Sequence, residues 1–166
     1  MTETYVECLV ARQTKPIMKF LKYLLITLAV LVGLFAFMVG STLLIIVAMG
    51  IGVGAYFVST GSDIEFEYLY VDKQISVDKV FGKARRKTVA KYDVEKLEIM
   101  APINSHQLDS YKNRTVKVAD FSSNEEKKPD PRYVFFYDGQ TKVIFEPSPE
   151  FVKAVYQVAP RKVFEY

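Results

Sequence analysis

Six basic side chains crowd into thirteen positions of this sequence, Lys79, Lys83, Arg85, Arg86, Lys87 and Lys91, and no acidic residue interrupts them. The chemistry open to such a run is electrostatic. Facing an anionic leaflet, each Lys or Arg contributes about 1 kcal/mol, an effect that decays within a Debye length. The six are therefore candidate anionic-lipid contacts. The competing reading is a solvated strand edge that lysines keep from pairing with other chains.

Residues capable of bond-making chemistry are sparse. His106 is the only histidine and lies beside Ser105 in a polar turn. Side chains adjacent in sequence rarely align as nucleophile and base, so a surface histidine is expected. Glu65 and Glu67 share one face of a predicted strand and have the form of a carboxylate pair, but an exposed outer face near Lys73 or Lys79 accounts for them more simply. Cys8 is the only cysteine, so neither an intrachain disulfide nor a cysteine-based zinc site can form. One histidine cannot supply the usual zinc constellations. No catalytic residue, metal site or cofactor is expected. The 22 basic and 19 acidic residues leave a net charge of +3, and after position 58 the balance is 18 to 17, too even for a nucleic-acid surface.

What positions the basic run is the element before it. Residues 24–58 are 35 positions without a charge. As one helix they would extend about 52 Å, against a bilayer core of about 30 Å. Two spans, 22–39 and 43–56 with Val58 at the far edge, fit better if they join at Gly40-Ser41-Thr42. A break at the headgroup surface leaves no backbone group unpaired in lipid. Lys15, Lys19 and Lys22 place the head in the cytoplasm by the positive-inside rule, and a second span returns the chain there. A single tilted span would instead put the following domain outside. The run is too long for a signal peptide, and Thr2 removes the N-myristoylation signal. No intramembrane charge marks an ion pathway.

Gly50 and Gly54 are candidate helix-packing residues, because small residues four apart let two backbones approach closely. Packing against the first span, near Gly33, is the plainer reading, and a homodimer contact the sharper one. In the head, Tyr5, Val6, Leu9 and Val10 fit one face of a short amphipathic helix on the inner leaflet, ended by Pro16; a loose tail fits equally. Cys8 on such a helix invites palmitoylation, although an idle thiol is the plainer reading.

Beyond residue 59 the pattern alternates. Phe66, Tyr68 and Tyr70 share a strand face, and Ile75, Val77, Lys79 and Phe81 repeat the pattern after a turn at Asp72-Lys73. Further strands are predicted at 86–92, 97–101, 115–120, 132–137 and 141–146, with Asp138-Gly139 marking a hairpin. Seven antiparallel strands must curl into a barrel or sandwich. Residues 102–114 read as turns and 122–131 as a mobile surface loop. Phe135 and Tyr137 point to the opposite side from Phe136, which leaves some of these rings to meet Phe164 and Tyr166 or a docking partner. Ser148, Pro149 and Glu150 open a helix. Its apolar face carries Phe151 and Val155, and Pro160 stops it.

Seven strands and one capping helix make the pleckstrin-homology layout, and the chain resembles bacterial membrane proteins in which a transmembrane hairpin precedes a pleckstrin-homology-like domain. The first hairpin of that family reads aromatic, any, Leu, Thr, two turn residues, Arg, then Ile or Leu, followed by Gly and a basic strand. Here Tyr68-Leu69-Tyr70-Val71-Asp72-Lys73-Gln74-Ile75 precedes Gly82 and Arg85-Arg86-Lys87. Tyr68, Ile75 and Gly82 fit, whereas Val71 replaces Thr and Gln74 replaces Arg. The head Tyr-Val-Glu-Cys-Leu-Val at residues 5–10 is also similar to that of a small, uncharacterised family of bacterial membrane proteins.

The expected fold is a two-helix transmembrane hairpin followed by an all-β, seven-stranded pleckstrin-homology-like barrel capped by a C-terminal α-helix. The boundaries are a cytoplasmic head at 1–21, the hairpin at 22–58 and the domain at 59–166. The expected function is that of a membrane-tethered, non-enzymatic scaffold or interaction module held at the cytoplasmic leaflet. An accessory subunit of a membrane transport or envelope complex is the alternative, and a lipid-processing enzyme a distant third. Expected partners are membrane lipids and a membrane protein or a second copy of the chain, not nucleic acid. The resemblance carries no phosphoinositide pocket with it, since fold does not imply function.

Overall fold

The computed structural model describes residues 5–14, 16–62, 64–83 and 85–165, and among them it places eight strands and three α-helices. The chain clusters into two compact units. A β-unit draws on Met1–Arg12, Glu65–Val80 and Arg86–Tyr166, and a hairpin unit on Gln13–Ile64 and Phe81–Arg85.

In the hairpin unit, α1 (Pro16–Val39) and α2 (Thr42–Ser62) pack along each other. Pro16 takes the first helical position, where its missing N–H costs nothing. Gly40, at φ +69°, ends α1, and the Ser41 N–H reaches back to the Ala36 carbonyl at 3.2 Å, the six-to-one bond of a Schellman cap. The predicted break at Gly40-Ser41-Thr42 is therefore where the helices part, while both helices run further from it than the apolar count suggested. At 1.5 Å per residue they extend about 36 and 31 Å. Both are long and apolar enough to cross a bilayer, with mean hydropathies of 2.3 and 2.1. Ala36 and Ala55 are buried, whereas Phe37 and Met38 are 83% and 85% exposed. The Thr27 and Thr60 hydroxyls donate to carbonyls one turn back, at 2.9 and 3.0 Å, so neither needs water.

The β-unit holds two four-stranded sheets. The first has the order β1-β2-β3-β4, with β1 Val6–Ala11, β2 Ile64–Val71, β3 Gln74–Phe81 and β4 Arg85–Asp93. The second has the order β5-β7-β8-β6, with β5 Leu97–Pro102, β6 Lys117–Asp120, β7 Tyr133–Tyr137 and β8 Thr141–Phe145. Asp72 and Lys73, at φ 48° and 64°, join β2 to β3, and Asp138 and Gly139, at 52° and 66°, join β7 to β8. Two successive positive φ values are the tight turn that matches strand twist.

Three expectations need correction. The sheets do not close into a barrel. The strands are not all antiparallel, because β8 inserts between β6 and β7 and pairs with β6 in parallel. The eighth strand is the head, which is neither an amphipathic helix nor a loose tail. Val6 to Ala11 pair antiparallel with β2, Val6 opposite Tyr70 and Ala11 opposite Glu65. The residues placed on a helical face also contain a two-residue alternation, Val6, Cys8 and Val10 half-buried and Glu7, Leu9 and Ala11 exposed, and the open edge of β2 selects it.

The core joins both sheets to α3 (Pro149–Val158). Tyr68, Phe135, Phe145 and Phe151 are buried and meet edge to face, with centroids 5.4 Å apart for Tyr68–Phe145, 5.3 Å for Phe135–Phe145 and 6.0 Å for Phe145–Phe151. Such pairs add roughly 0.5–1.5 kcal/mol each beyond their burial. Ser148 caps α3 as expected, accepting from the Phe151 N–H at 3.3 Å. The second sheet is covered on its other face too. Ile99, Leu108, Val134 and Phe136 form a second cluster with Tyr111 and Phe164 packed on it. Phe135 and Phe136 thus both find a core; the expected role of Tyr166 lies outside the described residues. The chain after α3 covers β5, with Met100 donating to the Lys162 carbonyl at 2.7 Å and Phe164 donating to the Met100 carbonyl at 2.8 Å.

Candidate functional site

Of the six predicted cations, Lys83 and Arg85 fall in the turn segment that clusters with the hairpin unit, while Lys79, Arg86, Lys87 and Lys91 belong to the β-unit. β4 is the last strand of its sheet, and residues 85–89 are exposed without alternation. The front of the strand therefore extends beyond the core. Tyr92 anchors the other end, with Phe135 and Tyr137 rings each 5.1 Å away. Lys79 is half-buried on β3.

Arg86 is not a free surface cation. Its Nη2 lies 2.8 Å from each carboxylate oxygen of Glu67. Glu67 is 1% exposed, which corrects its expected place on a solvated face near Lys73 or Lys79; Lys73 instead lies 3.5 Å from Glu95. Glu7 on β1 is the diagonal neighbour of Glu67 on the same face, and the buried Oε2 of Glu67 has no hydrogen-bond partner among the described residues. Tyr5 donates to Glu7 Oε2 at 2.7 Å. Burial and the neighbouring Glu7 push the Glu67 pKa up to about 7, whereas Glu67 and then Tyr5 hold Glu7 below its usual value. On β3, Asp78 is 6% exposed, and its Oδ1 has no hydrogen-bond partner among the described residues.

A second polar cluster ties down residues expected to move. Glu146 Oε1 accepts from the Ser123 N–H at 2.8 Å and the Ser123 hydroxyl at 2.6 Å, and Asp120 accepts from the Ser122 N–H and hydroxyl at 2.9 and 2.7 Å. The start of the 122–131 loop is thus buried and fixed, and its exposed part begins at Asn124. Tyr68 reaches the same place, donating to the Phe121 carbonyl at 2.6 Å. From β1, Arg12 donates to the Asp120 carbonyl at 3.4 Å and covers the Phe66 ring at 5.5 Å. Cys8 donates its thiol to the Glu146 carbonyl at 3.6 Å, and burial pushes its pKa up. A half-buried thiol on a strand does not suit acylation.

His106 is exposed in a short 3-10 turn, and the Ser105 hydroxyl is engaged with Gln107 as the cap of that turn. Among the described residues no cluster of three or more His, Cys, Asp or Glu side chains could hold a metal ion. A groove of about 520 Å³ runs beside α3, lined by Pro129, Pro131, Tyr133, Pro147, Pro149 and Val152 among others. In the hairpin, a Cβ added at Gly33 would meet the Ala48 Cβ at 3.9 Å, whereas one added at Gly50 or Gly54 would meet nothing within 4 Å. The close approach to α1 is thus at Ala48, and Gly50 and Gly54 face open space.

The Glu7–Glu67–Arg86 cluster was not legible as a site, because it exists only once β1 is a strand. The alternation of Val6, Cys8 and Val10 was the available signal.

No curated protein and no solved structure matches the chain. A family model does, over residues 2–165, a span that includes the pre-hairpin strand and both apolar helices as well as the sheets and α3. The chain belongs to the bacterial PH-like domain family DUF6106.

Proposed function

We propose that this protein is a membrane-tethered, non-enzymatic interaction module, its PH-like domain held at the cytoplasmic leaflet by a hairpin that crosses the bilayer twice. The observation that carries the reading is the pairing of β1 with β2. One strand precedes the hairpin and the other follows it, so both ends of the hairpin must leave the bilayer on one side for the sheet to form. A single span would separate the paired strands by a membrane. Lys15, Lys19 and Lys22, around the start of α1, favour the cytoplasmic side. The exposed basic front of β4 is the surface this module turns to anionic lipid, at roughly 1 kcal/mol per cation near the leaflet.

Because a fragment starting at residue 59 would lack β1, the test uses the full chain. In a C8S background, S41C and T88C variants are treated with a membrane-impermeant maleimide on right-side-out spheroplasts and on inverted vesicles. S41C should label only in spheroplasts and T88C only in inverted vesicles. Labelling of both variants from one side would sink the two-span reading. With a fluorophore on T88C in nanodiscs, headgroup-level quenching should rise with anionic lipid and lose that rise in K83E/R85E/K87E; equal quenching in both variants removes the lipid contact.

The open face at Gly50 and Gly54 favours a second reading, an accessory subunit whose α2 packs on another membrane helix. Crosslinking in intact membranes should then be lost in G50L/G54L, and an undisturbed complex would exclude that contact.

A further inference from the structure

Glu7 and Glu67 lie on one face of the strand pair that joins the chain before the hairpin to the chain after it. In the β1–β2 register, Glu7 is opposite Leu69 and Leu9 opposite Glu67. The two glutamates therefore share a face as diagonal neighbours, a separation that long side chains span. Two ionised carboxylates can only accept hydrogen bonds, so a bond from the unpartnered Glu67 Oε2 to Glu7 requires a proton. Tyr5 donates to Glu7, which suits Glu7 as the ionised member and leaves the proton with the buried Glu67. The other charged groups around the pair are Glu65 on the same face of β2, Asp78 on β3 and Arg86 on β4. Arg86 alone among them is cationic.

We propose that the Glu7–Glu67 pair, braced by Arg86, is a proton-sensitive latch that fastens the strand leading into the hairpin to the strand leaving it. With one proton shared, the pair binds β1 to β2. When the proton leaves, two carboxylates abut beside Asp78 with one guanidinium to offset them, and the N-terminal half of β1 loosens. The other end of β1 is held by Arg12 on the Asp120 carbonyl and the Phe66 ring. Opening is thus confined to residues 6–9. The raised pKa of Glu67, about 7, places the transition within the range a bacterial cytoplasm visits.

The test is hydrogen exchange on the full chain in nanodiscs of zwitterionic lipid, at pH 6 and pH 8, corrected for intrinsic exchange rates. Protection of residues 6–9 should fall by about tenfold, the change carried by one pKa unit of coupling, while residues 10 and 11 change less. In E67Q the amide can donate to Glu7 and accept from Arg86 at either pH, so the fall should vanish. R86Q should move the fall to higher pH. E7Q, which leaves Glu67 without an anionic neighbour on β1, serves if E67Q does not fold; with burial alone raising Glu67, the fall should shrink and begin at lower pH. Equal protection of residues 6–9 at both pH values in the wild type, or the same fall in E67Q or E7Q, overturns the latch. A role in strand packing alone would lower protection in the variants at both pH values without removing its pH dependence. Labelling of S41C and T88C is unaffected by this outcome, so failure of the latch leaves the two-span reading standing.

Discussion

Two buried glutamates of the β-unit keep opposite company. Glu146, 5% exposed, receives a backbone N–H and a hydroxyl from Ser123, at 2.8 and 2.6 Å, with the Lys127 ammonium 4.0 Å from its other oxygen. Glu67, 1% exposed, receives the Arg86 guanidinium and has a second carboxylate, Glu7, as its diagonal neighbour. A buried carboxylate is tolerated when donors replace its water. Glu146 has neutral donors, the N–H and hydroxyl of Ser123, which its carboxylate fixes in place. Glu67 has a partner that competes with it for one proton, and its charge is conditional. The same residue type at nearly the same burial thus acts as an anchor in one sheet and as a titrating group in the other.

The largest effect that could break this comparison is at the anchor. E146A leaves the Ser123 N–H and hydroxyl buried without an acceptor, at a cost of about 3 kcal/mol. Thermal unfolding of the full chain in detergent should show it, with faster hydrogen exchange at residues 121–124. A cost under about 1 kcal/mol would mean that the loop is held by Asp120 and Tyr68 instead.

E67Q should behave in the opposite way. The folded-state pKa of Glu67 is raised from 4.5 to about 7, so its contribution to stability is fully present below about pH 4.5 and is lost as pH rises towards 7. The amide removes that loss. E67Q should match the wild type near pH 4.5 and exceed it by roughly 3 kcal/mol at pH 8, as read from melting curves at the two pH values. A variant less stable than the wild type at both would place Glu67 with Glu146 as a second anchor.

How far either site could be read beforehand follows from where its partners lie in the chain. The break at Gly40, the seven strands after the hairpin, the Asp138-Gly139 turn and the Ser148 cap rest on signals within a few residues, and they stand in the structure. The barrel and its all-antiparallel order did not survive, because which strand inserts between β6 and β7 is decided by packing across the whole unit. The anchor joins Ser123 to Glu146, 23 residues apart, and the latch joins Glu7 to Glu67 through an intervening hairpin. Neither leaves a local pattern. Lys83, Arg85, Lys87 and Lys91 were visible as a run, but the commitment of Arg86 to Glu67 was not.

R86Q tests the cation on the conditional side. Arg86 lowers the Glu67 pKa against the upward pull of burial and Glu7, so its removal should carry the stability loss to pH values above 7. Melting curves from pH 5 to 9 should show the decline displaced upward, not deepened at pH 5. A decline that stays in place would show that the guanidinium, 57% exposed, is screened by solvent and that burial and Glu7 set the proton's affinity.

K127A is the matching change on the anchored side and the smallest. The ammonium is about half exposed, 3.0 Å from the equally exposed Glu125 and 4.0 Å from Glu146, so water and salt screen both attractions. The loss should be about 0.5 kcal/mol or less and should shrink further in 0.5 M salt, where the Debye length is roughly 4 Å. Glu146 would still hold both Ser123 donors, and exchange at residues 121–124 should not change. If K127A instead cost as much as E146A, the anchor would be coulombic. Glu146 and Glu67 would then each depend on one cation, and the contrast between them would reduce to Lys127 being more mobile than Arg86. A small, salt-sensitive loss keeps the distinction where the geometry puts it, in neutral donors on one side and a shared proton on the other.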